Sequence, residues 1–272
     1  MAEKKIVLIT GVSSGIGQVT ARLLAQRDFT VFGTSRKPSS IETMSGIEVL
    51  PLDVRSDESV EACLNTLLKK AGRLDILVNN AGYVLRGAIE EPTLEEAKAQ
   101  FETNLFGVVR MVKRVLPIMR RQGSGQIINI SSGMGLVPSP FAGYYSASKF
   151  AMEGYTEALR HEVKPFNVKV SLVEPGFIKT NVWSNVQEAA NRINDYDPWR
   201  QRVREVRQQF EQKALEPTLV AEVILRIIES KSPRLRHTVG RDVARLFWMR
   251  RFLPEAMFEK GVRRALHLEI KK

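Results

Sequence analysis

The sequence contains little cysteine and no long apolar run, and both shortages exclude classes of protein. Cys63 is the single cysteine among 272 residues, which excludes an internal disulfide and a cysteine-based zinc site. We expect Cys63 to be a small apolar filler in a helix, and we expect no metal site elsewhere. No apolar run approaches the roughly 20 residues of a membrane span.

The N-terminal residues also lack the apolar stretch of a secretory signal. Met1–Lys5 passes directly into the strand-like Ile6–Ile9, so we expect no signal peptide. Together with the single thiol, this favours a cytoplasmic location, where conditions are reducing.

Acidic residues are outnumbered, and the net charge is +11, with the surplus greatest beyond Asn181. A basic C-terminal third is compatible with nucleic acid, anionic lipid or acidic substrates as partners, or with a solvated surface alone. Because no recognition motif accompanies the charge, we expect no nucleic-acid partner.

Short β-branched runs alternate with amphipathic helical stretches over the first 180 residues. We predict strands at Ile6–Thr10, Thr30–Thr34, Glu48–Leu52, Asp75–Asn79, Gln126–Ser131 and Lys169–Glu174. We predict helices at Ile16–Gln26, Ser59–Lys70, Thr93–Gln122 and Ser146–Val163. Strands that are apolar on both faces and separated by helices indicate a parallel sheet covered on both sides, which is an α/β fold.

The pattern changes beyond Thr180 without a linker that would mark a domain boundary. We therefore predict one domain over 1–272, with a core at 1–180 and a substrate-binding, basic helical extension at 181–272. In the extension we expect one or two exposed helices over Val182–Leu215, with a turn at Asp195–Pro198. A further helix is predicted at Val220–Ser230, followed by mixed aromatics and arginines over Val243–Leu268.

A glycine-rich turn follows the first predicted strand and precedes the first helix. Small residues let the backbone approach a pyrophosphate, and a helix N-terminus supplies N–H groups and the positive end of its dipole. The turn therefore predicts a dinucleotide phosphate site. Its residues are Gly11, Ser13, Ser14, Gly15, Ile16 and Gly17.

The ends of the second and third strands indicate which dinucleotide binds. An NAD site usually has an acidic residue after the second strand, whereas Ser35, Arg36 and Lys37 stand here. Because an arginine can hold the extra phosphate of NADP, we predict NADP(H) with Ser35 and Arg36 at that phosphate. The alternative is a solvated charge pair. Asp53-Val54 would meet the adenine, although Asp53 could equally cap a helix.

Three further motifs, taken with the glycine turn, resemble the short-chain dehydrogenase/reductase family in its compact single-domain branch. They are Asn79–Gly82 (Asn-Asn-Ala-Gly), Ser131–Ser132, and Tyr145–Lys149 (Tyr-Ser-Ala-Ser-Lys). The resemblance implies a Rossmann-type doubly wound sheet of about seven strands, with helices on both faces and the site at the carboxyl ends of the strands.

The resemblance also implies a catalytic tetrad and further cofactor contacts. The tetrad is Asn104, Ser132, Tyr145 and Lys149. Tyr145 is preferred to Tyr144 because it has a lysine four residues later, and the family's spacing selects Ser132, with Ser131 left open. The implied cofactor contacts are Asn80, Ala81 and Gly82 at the adenosine ribose, Tyr145 and Lys149, and Pro175, Gly176, Ile178 and Thr180 at the nicotinamide end.

The residue types suit an interconversion of carbonyl and alcohol. Tyr145 and Lys149 are one helical turn apart and share a face. A free tyrosine has a pKa of about 10, and a nearby ammonium lowers it. In reduction, Tyr145 would protonate the carbonyl oxygen and Ser132 would polarise it, while Asn104 would hold a water that relays protons to Lys149.

Family members recognise substrate largely through the segment after the Pro-Gly motif and through the C-terminal region. We predict an apolar pocket for a lipid, steroid, retinoid or other hydrophobic carbonyl. Its lining residues are Met134, Phe141, Phe177, Val182, Trp183 and Val186. The tail loosely resembles the steroid- and retinol-handling members, and we expect a homo-oligomer, either a dimer or a tetramer.

Three alternatives stay open. Residues 241–268 suit peripheral membrane contact, or a helix packed on the core with its arginines outward. The chain could be a non-catalytic NADP-binding sensor, which loss of Tyr145 or Lys149 would favour, yet both are present. A sugar-nucleotide epimerase or dehydratase would need a larger C-terminal domain and a differently spaced glycine motif.

Overall fold

The computed structural model describes residues 4–40, 44–179 and 186–269. The strands are β1 (Lys5–Ile9), β2 (Phe29–Ser35), β3 (Ile47–Pro51), β4 (Ile76–Asn79), β5 (Val84–Arg86), β6 (Gly125–Ile130), β7 (Val168–Pro175), β8 (Val186–Glu188) and β9 (Arg236–Val239). The α-helices are α1 (Gly15–Ala25), α2 (Asp57–Ala71), α3 (Leu94–Phe101), α4 (Gly107–Gln122), α5 (Gly143–Val163), α6 (Asp197–Gln212), α7 (Pro217–Glu229), α8 (Arg241–Phe252) and α9 (Glu255–Ala265).

Seven of these strands form one parallel sheet in the order β3-β2-β1-β4-β6-β7-β9. The order reverses between β1 and β4, and in such a sheet the loops at the reversal open a crevice at the carboxyl ends of the strands. The predicted α/β fold, a Rossmann-type doubly wound sheet of about seven strands, is confirmed. The seventh strand, β9, was implied by the resemblance but not found in the sequence pattern.

Apolar side chains alternate between the two faces of the central strands and so divide the core in two. On β1, Leu8 packs with α2, α4 and α5, whereas Val7 and Ile9 pack with α1 and α7. Cys63 lies in the first of these clusters, where burial raises the pKa of its thiol to about 11. A thiol with so high a pKa is unreactive, which agrees with its predicted role as filler.

The helix predicted as continuous from Thr93 to Gln122 is interrupted. It begins where expected, because the Thr93 hydroxyl accepts from the Glu96 N–H and the Glu96 carboxylate accepts from the Thr93 N–H. The segment Glu102–Phe106 is then a π-helix between α3 and α4. Single π turns inside α-helices are frequent at functional sites, and this one contains Asn104.

Two boundaries differ from the prediction for simple reasons of helix chemistry. Helix α5 begins at Gly143 instead of Ser146, so Tyr145 lies in its first turn. The turn expected at Asp195–Pro198 is a 3-10 turn at Asn194–Tyr196 that runs into α6. Proline is tolerated in the first helical turn, because that position needs no N–H donor, so Pro198 starts α6 and does not break it.

The C-terminal third contributes to the sheet and covers it. Helix α7 packs against α1, and β9 pairs with β7. Helices α8 and α9 are separated at Pro254. No helix in the described parts of the chain has the length and hydropathy of a membrane span.

A second, two-stranded parallel sheet lies at the carboxyl side of the main sheet. Strand β5 follows β4 and pairs with β8, so Val84 lies opposite Val186. The Gly87 N–H donates to the Phe141 carbonyl at 3.1 Å, which joins this sheet to the loop before α5. Three separate chain segments are thereby fixed beside the start of α5.

Candidate active site

The predicted glycine turn connects β1 to α1 and is open to a ligand. Gly11 and Gly15 have φ angles of 73° and 62°, in the left-handed region that favours glycine. A Cβ on Gly17 would lie 2.3 Å from the Gly11 carbonyl oxygen, so only glycine fits there. The first turn of α1 contains no acidic residue, and the Ser14 side chain makes no capping bond to it. These N–H groups therefore remain available to an anion.

Thr10 and Asn80 hold this turn in place. The Thr10 hydroxyl accepts from the Asn80 and Ala81 N–H groups at 2.9 and 3.0 Å. The Asn80 amide donates to the carbonyls of Thr10 and Gly11 at 3.0 and 2.9 Å. Asn80 and Ala81 thus brace the end of β4 against the end of β1. Thr10 was missed as a site residue, although it directly precedes the glycine motif.

The ends of β2 and β3 carry the predicted adenosine contacts. Arg36 is exposed and forms no ion pair with any described residue, whereas Ser35 accepts from the Lys37 N–H at 3.2 Å. Asp53 does not cap α2, because Ser56 does so. Instead, a side-chain hydrogen bond from Arg55 lowers the pKa of Asp53, with a distance of 2.6 Å between Nη2 and Oδ2.

Val54 has a packing role. It is buried, and a Cβ on Gly107 would lie 2.7 Å from its Cγ2 atom. The loop after β3 therefore rests on the start of α4. The predicted contact of Val54 with the adenine stays a prediction.

Tyr145 is partly exposed at the N-terminal end of α5, next to Ser132. Burial raises the pKa of its phenol, and a hydrogen bond with the Ser132 hydroxyl opposes that rise. The Ser132 oxygen also accepts from the Met134 N–H at 3.1 Å. The pKa lowering that we expected from Lys149 does not appear, because the Lys149 Nζ lies 5.8 Å from the centre of the Tyr145 ring.

Lys149 is 5% exposed and extends along α5 to the end of β6. Its Nζ donates to the Ile130 carbonyl at 2.8 Å. Burial lowers the pKa of Lys149 to about 8, and the charge of Glu153 opposes that fall. A lysine with a pKa this close to neutrality can change charge within the range of an enzyme assay.

Asn104 is fully buried in the π segment and binds the start of β5. Its Nδ2 donates to the Tyr83 carbonyl at 3.0 Å and to the Ser148 hydroxyl at 3.3 Å. Its Oδ1 accepts from the Tyr83 N–H at 3.1 Å. A Cβ on Gly82 would lie 3.0 Å from that Oδ1 atom, so the glycine of the Asn-Asn-Ala-Gly motif makes room for Asn104.

The two adjacent serines differ in surroundings. Ser131 is buried on the side of Glu153, whereas Ser132 contacts Tyr145. A Cβ on Gly135 would lie 2.8 Å from the Ser131 Oγ, so Ser131 faces the interior. This geometry favours Ser132 as the serine of the site.

The predicted nicotinamide segment follows β7. Pro175 ends that strand, and the Gly176 N–H donates to the Val239 carbonyl at 2.9 Å. Ile178 is buried and forms an isolated bridge with Leu215, which precedes α7. Thr180, also predicted here, lies outside the described residues.

Aromatic side chains surround the predicted substrate side. Phe177 stacks on Phe210 of α6, with ring centres 5.3 Å apart, and Phe141 meets Tyr196 edge to face at 6.4 Å. Phe141 has a φ of 59°, unusual for a bulky residue and typical of strained backbone near active sites. Val186 lies in β8 and Met134 next to Ser132, but Val182 and Trp183 lie outside the described residues.

Helix α8 also contacts the site, which the sequence did not predict. Val243 is buried near the loops after β6 and β7, because a Cβ on Gly133 or Gly176 would lie 3.0 or 2.9 Å from its Cγ2. Arg250 donates to the Leu136 carbonyl at 2.9 Å and lies 5.1 Å from the centre of the Phe150 ring. The signal available beforehand was an apolar residue at the start of a basic helix, which is too common to be informative.

Two relatives are similar to this chain over most of its length. The 3-ketodihydrosphingosine reductase of Bacteroides thetaiotaomicron is 41% identical over 264 residues, covering 96% of this chain and 97% of that protein. Retinol dehydrogenase 8 of Bos taurus is 40% identical over 252 residues, covering 85% of this chain and 80% of that protein.

Solved structures agree with the fold. A short-chain dehydrogenase from Streptomyces avermitilis superposes with a TM-score of 0.83 at 30% identity, over 99% of this chain and 100% of that one. ElxO with NADP bound superposes with a TM-score of 0.74 at 29% identity, over 89% and 99%. The family profile described as short chain dehydrogenase matches residues 5–191. On these grounds, the chain belongs to the short-chain dehydrogenase/reductase family of oxidoreductases.

Proposed function

We propose that the protein uses NADPH to reduce the keto group of a long-chain, largely apolar lipid to an alcohol. The observation that carries the proposal is the placement of Tyr145. It lies in the first turn of α5, bonded to Ser132 and one helical turn from the buried ammonium of Lys149. Roles for Asn104, Ser132, Tyr145 and Lys149 are part of this proposal.

The nucleotide end fits NADP(H). In the Gly11–Gly17 turn, the backbone of Gly17 lies so close to Gly11 that a side chain would not fit there. The N–H groups at the start of α1 face the crevice. Arg36 is exposed at the end of β2 and is free to meet an additional phosphate. ElxO, which is similar in structure, is described with NADP bound. When bound, NADPH supplies the hydride for the reduction.

Tyr145 is the proposed proton donor. Burial raises the pKa of its phenol, so the hydroxyl keeps its proton at neutral pH and can give it to the alkoxide oxygen of the reduced carbonyl. Ser132 donates a second hydrogen bond to that oxygen. The positive end of the α5 helix dipole stabilises the phenolate left behind, and Lys149 is the proposed end of the proton relay that restores the phenol.

We propose that Asn104 holds together two of the segments that form the site. Its side chain links Tyr83 to Ser148, which is adjacent to Lys149 in sequence. The water relay that the family resemblance implies would pass from this region to Lys149. We propose this role from position alone, since Asn104 already bonds to protein at both ends of its amide.

The substrate class follows from the lining and from the relatives. Phe141 and Phe177 belong to aromatic pairs around the site. The relatives are named for 3-ketodihydrosphingosine and for retinol, which are both molecules with a long apolar body. We propose that an apolar pocket beside Tyr145 accepts that body.

The decisive assay follows NADPH oxidation with 3-ketodihydrosphingosine, all-trans-retinal and acetone as substrates. We expect turnover with at least one of the two long molecules and little with acetone. NADPH binding is measured in parallel by fluorescence titration. If NADPH binds but no carbonyl is reduced, the result favours the non-catalytic sensor. If NADPH does not bind, the cofactor assignment is wrong.

We also propose that α8 and α9 rest on an anionic membrane surface. Trp248 and Phe252 are 56% and 68% exposed and stack at 5.3 Å, beside the exposed Arg245 and Arg251. Such a face suits the boundary between headgroups and acyl chains. Replacing Trp248 and Phe252 with alanine should abolish sedimentation with phosphatidylglycerol vesicles, whereas Leu219→Ala on α7 should not. Equal sedimentation of both variants would contradict this contact.

A further inference from the structure

Three charged side chains lie behind Lys149 and have no part in the mechanism above. Glu153 follows Lys149 by one turn of α5, and Glu174 is the penultimate residue of β7. Arg236 is the first residue of β9. Glu153 is 5% exposed and Glu174 is fully buried, so this is a charged cluster inside the core.

Arg236 connects the two carboxylates. Its Nη2 lies 3.0 Å from Glu153 Oε2, and its Nε lies 3.5 Å from Glu174 Oε1. The same guanidinium also pairs with Glu157, which is half-exposed at the rim of the cluster. Ion pairs inside the core rarely offset the cost of removing their charges from water.

Three elements supply the ionisable groups around Lys149. Strand β7 supplies Glu174, and β9 supplies Arg236. Helix α5 supplies Tyr145, Lys149, Glu153 and Glu157. Burial raises the pKa of Glu174 to about 8, so it is mainly protonated at neutral pH. Burial also raises the pKa of Glu153, and Arg236 opposes that rise. With Glu153 ionised, the two cations Lys149 and Arg236 stand against Glu153 and Glu157.

The protonation of Lys149 depends on these neighbouring charges more than on its hydrogen bond. Its one hydrogen bond among the described contacts is to the Ile130 carbonyl, which is neutral. A buried ammonium with only a neutral partner tends to lose its proton. Among the anions of the cluster, Glu153 is the buried one on the same helical face, and Arg236 fixes where its carboxylate lies.

We propose that Glu153, fixed by Arg236 and backed by Glu174, is a positioning residue that keeps the Lys149 ammonium charged within the site. The proposal rests on the proposed function, because Lys149 acts there. It explains why carboxylates lie in a part of the core where apolar residues would pack at lower cost. The cluster thus extends the Tyr145–Lys149 face by one more helical turn.

Direct titration of Lys149 tests the proposal without substrate or cofactor. The protein is labelled with 13Cε-lysine, and a Lys149→Met variant assigns the resonance. In the native protein we expect a titration midpoint near pH 8. Glu153→Gln should lower that midpoint by about one pH unit, as loss of a nearby opposite charge does. Glu157→Gln, which removes an exposed partner of the same arginine, should leave it within about 0.3 units.

The pH profile of carbonyl reduction gives the second measurement. Activity should fall as pH rises and Lys149 loses its charge, and Glu153→Gln should shift that alkaline limb about one unit lower. If Glu153→Gln does not fold, Glu153→Met fills the same space without a buried polar group and carries the same expectation. An unchanged Lys149 midpoint in the folded variant would overturn the proposal. An inactive native protein would count against the proposed function, while the titration would still test the cluster.

Discussion

The loops after β1 and β2 and the loops after β4, β6 and β7 line one edge of the sheet but differ in construction. On the proposed nucleotide side, residues 10–17 and 35–36, the groups offered to a ligand are backbone N–H groups beside glycines and the exposed Arg36. On the catalytic side, Asn104 and Lys149 are buried polar side chains with fixed partners. Substitutions should therefore change binding on the first side, and chemistry or stability on the second.

Tyr145→Phe should produce the largest effect and the clearest separation of the two sides. Removing the proton donor should lower kcat by about 1,000-fold. The affinity for NADPH should stay within about twofold, because the phosphate turn is untouched. Stopped-flow turnover and fluorescence titration measure the two quantities. A variant that keeps most of its turnover would remove Tyr145 from the mechanism.

Gly17→Ala should have the opposite profile. Its Cβ would lie 2.3 Å from the Gly11 carbonyl oxygen and 2.5 Å from the Asn80 Nδ2. Overpacking of this kind costs about 1–3 kcal/mol, so NADPH binding should weaken by up to about 100-fold.

Gly154→Ala is the matched control for that variant, since a Cβ on Gly154 meets nothing within 4 Å. This substitution within α5 should leave NADPH binding unchanged and slightly stabilise the helix. Comparable losses of binding in both variants would show that the turn has no special need for glycine.

Arg36→Ala should have a smaller and more selective effect. Loss of a charge-assisted contact should raise the KM for NADPH by about tenfold, with little change in the KM for NADH. Steady-state kinetics with both cofactors measure the ratio. Equal changes for the two cofactors would place Arg36 away from the additional phosphate.

Glu174→Gln should show the stability cost of the catalytic side. Burial raises the pKa of Glu174 to about 8 from an ordinary 4.5, so the folded protein binds a proton that the unfolded chain releases between these values. Stability from this residue is therefore lost as pH rises through that window.

Urea unfolding at pH 5 and pH 9 measures this effect. We expect Glu174→Gln to match the native protein closely at pH 5 and to exceed its unfolding free energy at pH 9 by roughly 3–5 kcal/mol. A difference that is the same at both pH values would mean that Glu174 does not titrate in this range.

The parts of this architecture that depend on short motifs were predictable from the sequence. Gly11–Gly17 and Tyr145–Lys149 each lie within one turn or one helix, so residue type and spacing fix their geometry. Strands β1, β4, β6 and β7 could be found because burial on both faces makes them largely apolar runs. Strand β9, Arg236–Val239, is one of the two edge strands of the sheet and reads Arg-His-Thr-Val, which has no such run.

Contacts between distant segments could not be predicted. The π segment depends on Asn104 meeting Tyr83, and the Glu153 cluster depends on Arg236, which lies far along the chain. The contact between Val243 and the loops after β6 and β7 is of the same kind. The single domain, the homo-oligomer and the role of Thr180 stay predictions.

The π segment at Glu102–Phe106 has a consequence for protein engineering. A π turn holds an extra residue compared with an α turn, so deleting one residue there would produce a regular helix. That deletion would also change the positions of the side chains within the segment around the helix axis and so separate Asn104 from Tyr83. The shorter chain would have a simpler helix without the contact between Asn104 and Tyr83, so the irregular turn places Asn104 at the expense of helical regularity.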